Sequence, residues 1–349
     1  MEKGIRMPSA WGLALLLAAV PVLSTCGGSG RAESSGTPVN VRLGYFPNLS
    51  HATAIVGVEK GIFARALAPD RVTAKTFNAG PAAVEALFSD SVDATYIGPN
   101  PAINAYAKSE GRAIRIVSGA TSGGAALVVK PGITAAEGLK GKKVASPQLG
   151  GTQDVALRAW LRSKGLDTDP QGGGDVSVVP QENAQTLETF RVGQISGAWV
   201  PEPWATRLVQ EGGGTVLVDE RTLWPGGQFV TTHLIVRTEF LEQHPEAVRR
   251  LLRAQVEAND VVNQEPGEAQ RLVNLGISEV VGKKLPEAVI AAAWKNLEFT
   301  NDPIASSLAT SAEHAERIGL LEPVDLKGIY DLTLLNQVLR EAGKKEVAS

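Results

Sequence analysis

The stretch Trp199-Val200-Pro201-Glu202-Pro203-Trp204 separates a predicted strand from a predicted helix. Pro203 suits the first turn of a helix, because its ring fixes φ and its missing N–H has no intrahelical partner there. Ligands of open α/β sheets bind at such strand ends, so we predict that Trp199, Glu202 and Trp204 contact a ligand. The alternative is that both indoles fill the core and Glu202 caps the helix, since tryptophan is usually mostly buried.

Predicted strands and helices alternate on both sides of this stretch, which indicates the α/β class with mostly parallel sheets. Pro131-Gly132 interrupts the pattern, and a second, similar unit follows. We therefore predict two lobes: the first comprises residues 39–130 plus 227–349, and the second, residues 131–226, is inserted into it. The chain would cross between the lobes twice, which makes a hinge and a cleft that can close on a small ligand.

The turns after the predicted strands carry neutral hydrogen-bonding side chains, and several place a glycine just before a helix. Helix N-termini bind anions through free backbone N–H groups and the helix dipole, so a small oxyanion needs no lysine or arginine. A sulfonate, which only accepts hydrogen bonds, suits such donors. The predicted contacts are Asn48, His51, Gly80, Asn100, Ser122 and Gly123 (in a turn after a strand at 114–118), Thr152, Gln153 and Asn183. The alternative is that these residues serve the turns alone.

The composition argues against several classes of protein and site. The 349 residues carry 34 basic and 37 acidic side chains, a near balance that argues against a nucleic-acid partner. A single cysteine allows no internal disulfide, and four scattered histidines lack the spacing of metal ligands. The sequence has no dinucleotide-binding glycine motif after its first strand, no nucleophile elbow and no phosphate-loop lysine. We predict no catalytic residue, no metal and no cofactor.

The first residues form a predicted processing segment. Lys3 and Arg6 precede an apolar run at residues 11–23, which has the layout of a signal peptide and is short for a membrane span. The run ends at Leu23-Ser24-Thr25-Cys26, which resembles a lipoprotein lipobox in which Thr25 replaces the usual Gly, Ala or Ser. We predict a lipoprotein signal peptide over residues 1–25, lipidation of Cys26 and a flexible tether over residues 26–38. An ordinary signal peptide is the alternative.

Several stretches together resemble the solute-binding proteins of ABC importers for sulfonates, nitrate and taurine, and most of all the aliphatic sulfonate-binding type. These stretches are residues 44–51, 98–101, 139–143, 199–204 and 229–236. The resemblance covers about residues 39–340. It implies the bilobal type II periplasmic-binding-protein fold, no catalysis, and delivery of the ligand to a membrane permease driven by an ATPase. It also implies a ligand site formed by the turn with Asn48 and His51, the turns at residues 98–100 and 121–123, the helix start at Thr152 and the loop at residues 199–204.

The resemblance implies a monomer that binds a small organic anion on the extracytoplasmic side of the cell membrane, where a lipid at Cys26 would hold it. An aliphatic sulfonate is the preferred ligand, with nitrate, taurine and other small anions as alternatives. An enzyme on the same fold, such as a pyrimidine-precursor synthase, would need a cysteine-rich active site, and Cys26 is the only cysteine. The sensory domain of a regulator would need a DNA-binding motif or a spanning helix, and the sequence indicates neither.

Overall fold

The fold is that of a computed structural model, which describes residues 38–349. The predictions for residues 1–37, including lipidation of Cys26, lie outside the described residues. The strands are β1 (Asn40–Tyr45), β2 (Arg71–Thr76), β3 (Ala94–Ile97), β4 (Ile114–Gly123), β5 (Ala125–Val129), β6 (Lys143–Ser146), β7 (Ser177–Pro180), β8 (Gly197–Pro201), β9 (Thr215–Asp219), β10 (Val230–Arg237) and β11 (Leu297–Phe299). The helices are α1 (Ala52–Glu59), α2 (Ile62–Leu67), α3 (Gly80–Phe88), α4 (Pro99–Lys108), α5 (Thr152–Ser163), α6 (Asn183–Arg191), α7 (Trp204–Gln210), α8 (Thr238–Gln243), α9 (Pro245–Gln264), α10 (Pro266–Val281), α11 (Glu287–Trp294), α12 (Ala305–Arg317) and α13 (Thr333–Glu341).

The strands form two sheets, and each sheet is the centre of one lobe. The first sheet has the order β11-β4-β10-β3-β1-β2, with β1 parallel to β2 and β3, and β10 antiparallel to β3 and β4. The second has the order β7-β6-β8-β5-β9, with β6 parallel to β7 and β8, and β5 antiparallel to β8 and β9. The predicted bilobal α/β fold is confirmed. The sheets are nevertheless mixed, because the strands next to the lobe crossings run antiparallel to their neighbours.

The second lobe begins earlier in the chain than predicted. Residues 125–130 were predicted to belong to the first lobe, but β5 pairs with β8 and β9 of the second sheet. That assignment is wrong because β4 continues into β5 with only Gly124 between them. An extended chain that passes from one sheet to another has no turn to mark the crossing in the sequence.

The predicted turn at residues 121–123 is also wrong, since these residues are the last part of β4 and pair with β10 and β11. Gly123 and Gly124 both have a φ of +74°. A Cβ at Gly123 would lie 2.7 Å from the Asn296 carbonyl oxygen, and one at Gly124 would lie 2.1 Å from Leu297 Cδ2. The two glycines are therefore needed for the crossing, and only glycine adopts this backbone without strain.

Each lobe has its own hydrophobic core. In the first lobe, Leu43 of β1 is fully buried with Ile55 and Leu251 from the flanking helices. In the second, Leu127 is fully buried with Leu161 of α5. Prolines at the first position of α9 and α10 begin these helices as the sequence indicates. Within residues 38–349, no helix has both the length and the apolar composition that a membrane span requires.

Candidate functional site

A cavity of about 40 Å³, the inner cavity, lies between the two lobes. Its first-lobe wall consists of Phe46, Asn48, Ser50, His51, Asn78, Ala79, Gly80, Gly98, Pro101 and Thr231. Its second-lobe wall consists of Pro147, Gln148, Gly151, Thr152, Gln153, Asn183 and Pro201. None of these residues is a lysine, an arginine or a carboxylate, so any charge on a ligand is balanced by neutral donors and backbone dipoles.

Four helices begin at the inner cavity: α3 and α4 from the first lobe, and α5 and α6 from the second. None of their N-cap residues makes a side-chain capping hydrogen bond. The first turn of a helix leaves N–H groups without intrahelical partners, and these groups carry the positive end of the helix dipole. Such N–H groups can donate to an anion, although α4 offers fewer of them, because Pro99 and Pro101 in its first turn have no N–H.

Two glycines allow these helix ends to come close together. A Cβ at Gly98, just before α4, would lie 2.1 Å from Oγ1 of Thr152 across the cleft. A Cβ at Gly80 would lie 2.2 Å from Cγ of Pro101. Side chains at these positions would hold the helix N-termini apart, so both glycines are needed for the size and the closed shape of the cavity.

His51 lines the cavity as a neutral ring. Burial lowers the pKa of His51 to about 3, so the imidazole is uncharged at physiological pH. The backbone N–H of Phe46 donates to its Nδ1 at 3.3 Å, which places the ring proton on Nε2. His51 can therefore donate one hydrogen bond to an anion.

Two hydrogen bonds join the lobes beside the cavity. Nε1 of Trp204 donates to Oδ1 of Asn48 at 3.0 Å, and Nδ2 of Asn78 donates to Oε1 of Glu182 at 2.7 Å. Asn183 differs from Asn48 and Asn78, because its side-chain oxygen Oδ1 is buried and has no hydrogen-bond partner among residues 38–349. A buried acceptor without a partner is unfavourable, so a ligand that offers a donor there would be stabilised.

Half of the predicted ligand contacts line the inner cavity: Asn48, His51, Gly80, Thr152, Gln153 and Asn183. Each of these residues lies at or next to the N-terminus of a helix, and these N-termini face the space between the lobes. That they contact a ligand stays a prediction. The other six, which are Asn100, Ser122, Gly123, Trp199, Glu202 and Trp204, do not line this cavity.

Three of these six residues, Asn100, Ser122 and Gly123, have structural positions in the first lobe or at the crossing between the lobes. Nδ2 of Asn100 donates to the Ser311 carbonyl oxygen at 3.1 Å and so ties α4 to α12. Ser122 accepts from the backbone N–H of Phe229 at 3.4 Å, and Gly123 lies at the crossing. Ser122 and Gly123 face neighbouring backbone because the segment that was predicted to be a turn is a paired strand, whereas the Asn100 side chain is taken up by the contact between α4 and α12.

Trp199 and Glu202 are buried outside the cavity. Trp199 is fully buried in the second lobe, and its Nε1 donates to Oε2 of Glu220 at 2.7 Å. Glu202 accepts from the backbone N–H of Thr206 at 3.1 Å and from Nδ2 of Asn296 at 2.7 Å. Burial raises the pKa of Glu202, and these donors oppose that rise. The alternative was that both indoles fill the core and Glu202 caps the helix. It describes Trp199 and the hydrogen bond that Glu202 accepts from the first turn of α7, but not Trp204, which is only partly buried.

Several residues that line the cavity were not among the predicted contacts, and they include Phe46, Ser50, Gln148 and Thr231. Gln148 precedes α5 in the turn that also holds Thr152, so its polar side chain was a usable signal. Thr231 had no such signal, since it reaches the cavity only because β10 inserts antiparallel between β3 and β4.

A second space, the outer chamber, has a volume of about 340 Å³ and also lies between the lobes. It shares Asn48, Asn78 and Asn183 with the inner cavity. Its other lining residues are Pro47, Glu182, Ala184, Pro203, Trp204, Arg207, Glu211, Ile277, Val281, Lys283, Lys284, Leu285 and Pro286. Trp204 thus lies at the cleft, in this outer part of it, and its contact with a ligand stays a prediction. Among the described residues, no group of three His, Cys, Asp or Glu side chains is placed to hold a metal ion.

The chain is similar to several binding proteins. It is 26% identical over 337 residues to the “Putative aliphatic sulfonates-binding protein” of Bacillus subtilis (strain 168), covering 95% of this chain and 97% of that protein. It is 26% identical to the taurine-binding periplasmic protein of Escherichia coli (strain K12), covering 72% of this chain and 78% of that protein.

Solved structures show the same fold. The periplasmic nitrate-binding protein NrtA from Synechocystis PCC 6803 matches with a TM-score of 0.73 at 20% identity, covering 87% of this chain and 89% of that one. At this identity the likeness concerns the fold alone, which is the bilobal periplasmic-binding-protein fold. The profile of the NMT1-like family matches residues 34–278, well over half of the chain, and the chain therefore belongs to the NMT1-like family.

Proposed function

We propose that this protein is the extracytoplasmic solute-binding component of an ABC importer. It captures a small organic anion, an aliphatic sulfonate, in the inner cavity and delivers it to a permease driven by an ATPase. The observation that carries this proposal is the meeting of four uncapped helix N-termini at a cavity without charged side chains. The relatives named for sulfonate and taurine binding support the same class of ligand.

A sulfonate suits the donors of this site. Its three oxygens only accept hydrogen bonds, and the first turns of α3, α5 and α6, together with Nε2–H of His51, supply donors from both lobes. Because both lobes contribute, the anion favours the closed arrangement of the cleft. Binding and closure are therefore coupled in the proposed cycle.

Taurine is the second candidate, and one observation favours it. Oδ1 of Asn183 is a buried acceptor without a partner among residues 38–349, and the ammonium group of an aminosulfonate would supply a donor. An alkanesulfonate leaves this acceptor unsatisfied, so the relative affinities of taurine and ethanesulfonate decide between the two.

The proposal is tested by calorimetry and thermal shift on the purified protein with ethanesulfonate, taurine, nitrate and sulfate. We expect saturable binding of a sulfonate, an increase in melting temperature by mass action, and recovery of the ligand unchanged. Absence of binding by every sulfonate would contradict the proposal, and chemical conversion of the ligand would support an enzyme on the same fold.

A matched pair of glycine variants tests whether the cleft is the site. Gly98→Ala places a Cβ 2.1 Å from Oγ1 of Thr152, so closure is hindered and affinity should fall by roughly ten-fold. Gly267→Ala is the control, because a Cβ there meets nothing within 4 Å. Equal affinity in the two variants would place the ligand elsewhere.

We also propose that Cys26 carries a lipid that holds the protein, as a monomer, on the outer face of the cell membrane. The single cysteine at the end of the apolar run supports this. Cys26→Ser should release the protein from the membrane fraction and leave ligand affinity unchanged. Retention of the variant in the membrane would contradict the anchor.

A further inference from the structure

The outer chamber continues from the inner cavity past three amide side chains. Asn48, Asn78 and Asn183 line both spaces. The inner cavity, at about 40 Å³, suits a head group and little more, whereas the outer chamber has about 340 Å³. Any ligand longer than its head group would therefore extend into the outer chamber.

One part of the outer chamber is apolar. Trp204 presents its indole from the second lobe, and Ile277, Val281 and Leu285 face it from the first lobe. The Arg207 guanidinium lies over the Trp204 ring, 4.7 Å from its centre, which holds the indole in place. Contact with such a surface favours a methylene chain or another apolar segment of a ligand.

Some charged side chains of the chamber have hydrogen-bond or ion-pair partners, and others have none. Arg207 pairs with Glu211 at 2.8 Å, and Glu182 accepts the hydrogen bond from Asn78. Lys283 and Lys284 are exposed and make no ion pair or side-chain hydrogen bond among residues 38–349. The hydrogen bond from Arg207 lowers the pKa of the Glu211 carboxyl, and Lys283 also lies near enough that its charge helps to lower that pKa. The chamber thus offers two exposed cations without a hydrogen-bonded partner beside an apolar wall.

We propose that the outer chamber is a second ligand subsite, which holds the distal part of an organic sulfonate that ends in another anionic group. The sulfonate occupies the inner cavity, the apolar segment contacts Trp204, Ile277 and Leu285, and the distal anion faces Lys283 and Lys284. This inference rests on the proposed function and specifies its substrate class. A distal carboxylate and a distal sulfonate share the required chemistry.

The test compares three kinds of ligand by calorimetry on the full protein. Ethanesulfonate supplies the head group, butanesulfonate adds an apolar tail, and sulfocarboxylates with three to six methylene groups between their anions add the distal charge. We expect affinity to rise in that order. Lys283→Gln combined with Lys284→Gln should weaken the best sulfocarboxylate by about three- to ten-fold, and ethanesulfonate by less than two-fold.

The matched control is Lys142→Gln combined with Lys143→Gln, which removes the same charge from an exposed lysine pair outside both spaces. It should leave both ligands unaffected, and the loss at Lys283 and Lys284 should shrink in 1 M salt. The subsite would be overturned if the two double variants changed the affinities equally, or if the distal anion did not raise affinity. In either case, binding of ethanesulfonate would still support the proposed function. If no sulfonate binds at all, the proposed function and the subsite are both wrong.

Discussion

Trp199 and Trp204 lie five residues apart, and each indole N–H donates to an oxygen of another segment. Trp199 donates to the buried carboxyl of Glu220, and its ring lies 6.1 Å from that of Trp160 inside the second lobe. Trp204 is only partly buried and donates to Asn48 of the first lobe. The same chemical group thus stabilises the interior of one lobe in the first case and the contact between two lobes in the second.

The difference follows from the position of each residue in the strand-to-helix connection. Trp199 is inside β8, where one face of the sheet packs on α5, so its side chain enters the core. Trp204 is the first residue of α7, beyond the end of the strand, where the chain faces the cleft. Trp199 therefore contributes to the stability of the fold, whereas Trp204 contributes to closure of the cleft. Substitutions at the two positions can measure these contributions separately.

The largest expected effect is on stability. Trp199→Ala removes a fully buried indole and leaves the Glu220 carboxyl without this donor, so the free energy of unfolding should fall by about 3–5 kcal/mol. Urea unfolding of the ligand-free protein measures this, with Trp204→Ala, at the cleft, as the matched indole deletion. If both variants lost the same unfolding free energy, the conclusion that only Trp199 is a folding residue would be wrong.

The next effect is a pH dependence at the partner of Trp199. Burial raises the pKa of Glu220 to about 7, although the Trp199 N–H favours the charged form. Because the folded state binds this proton more tightly than the unfolded chain, the stabilisation is complete below about pH 4.5 and is lost as the pH rises through 7.

Glu220→Gln isolates this contribution, since an amide keeps an acceptor for Trp199 and does not titrate. From pH 4.5 to pH 8, the wild type should lose about 2–3 kcal/mol of unfolding free energy relative to the variant. Urea unfolding at several pH values gives this difference. A difference that stays constant over the range would show that Glu220 does not change its protonation on unfolding.

The sequence was sufficient for the fold class and the insertion of one lobe into the other, because alternating strands and helices have strong local patterns. It was insufficient at the crossing, where β4 and β5 form a nearly continuous extended segment. Strand pairing between residues more than a hundred positions apart decides that β10 lies between β3 and β4, and no local pattern specifies such a pairing.

In the candidate site, too, local features could be predicted from the sequence and long-range features could not. Gly80, Thr152 and Asn183 could be placed in the cavity wall from the sequence, because helix N-termini have recognisable turn chemistry and these helices begin at the cleft. Trp199 was predicted to contact a ligand, with burial in the core as the alternative, and it is fully buried. The sequence did not decide between the two because it does not show toward which face of β8 the side chain points. Thr231 was missed because its place results from long-range pairing alone.

The smallest expected effect is on closure. Trp204→Phe removes the indole N–H and keeps an aromatic ring in the outer chamber, so only the hydrogen bond to Asn48 is lost. One neutral hydrogen bond contributes about 1 kcal/mol, and ligand affinity should therefore fall by about five-fold while the unfolding free energy changes by less than about 0.5 kcal/mol. Trp294→Phe is the control, because Trp294 packs on Phe299 away from both ligand spaces and its change should leave affinity unaltered. If Trp204→Phe lowered stability as much as affinity, Trp204 would belong with Trp199 as a folding residue, and the separation of folding from closure within residues 199–204 would be lost.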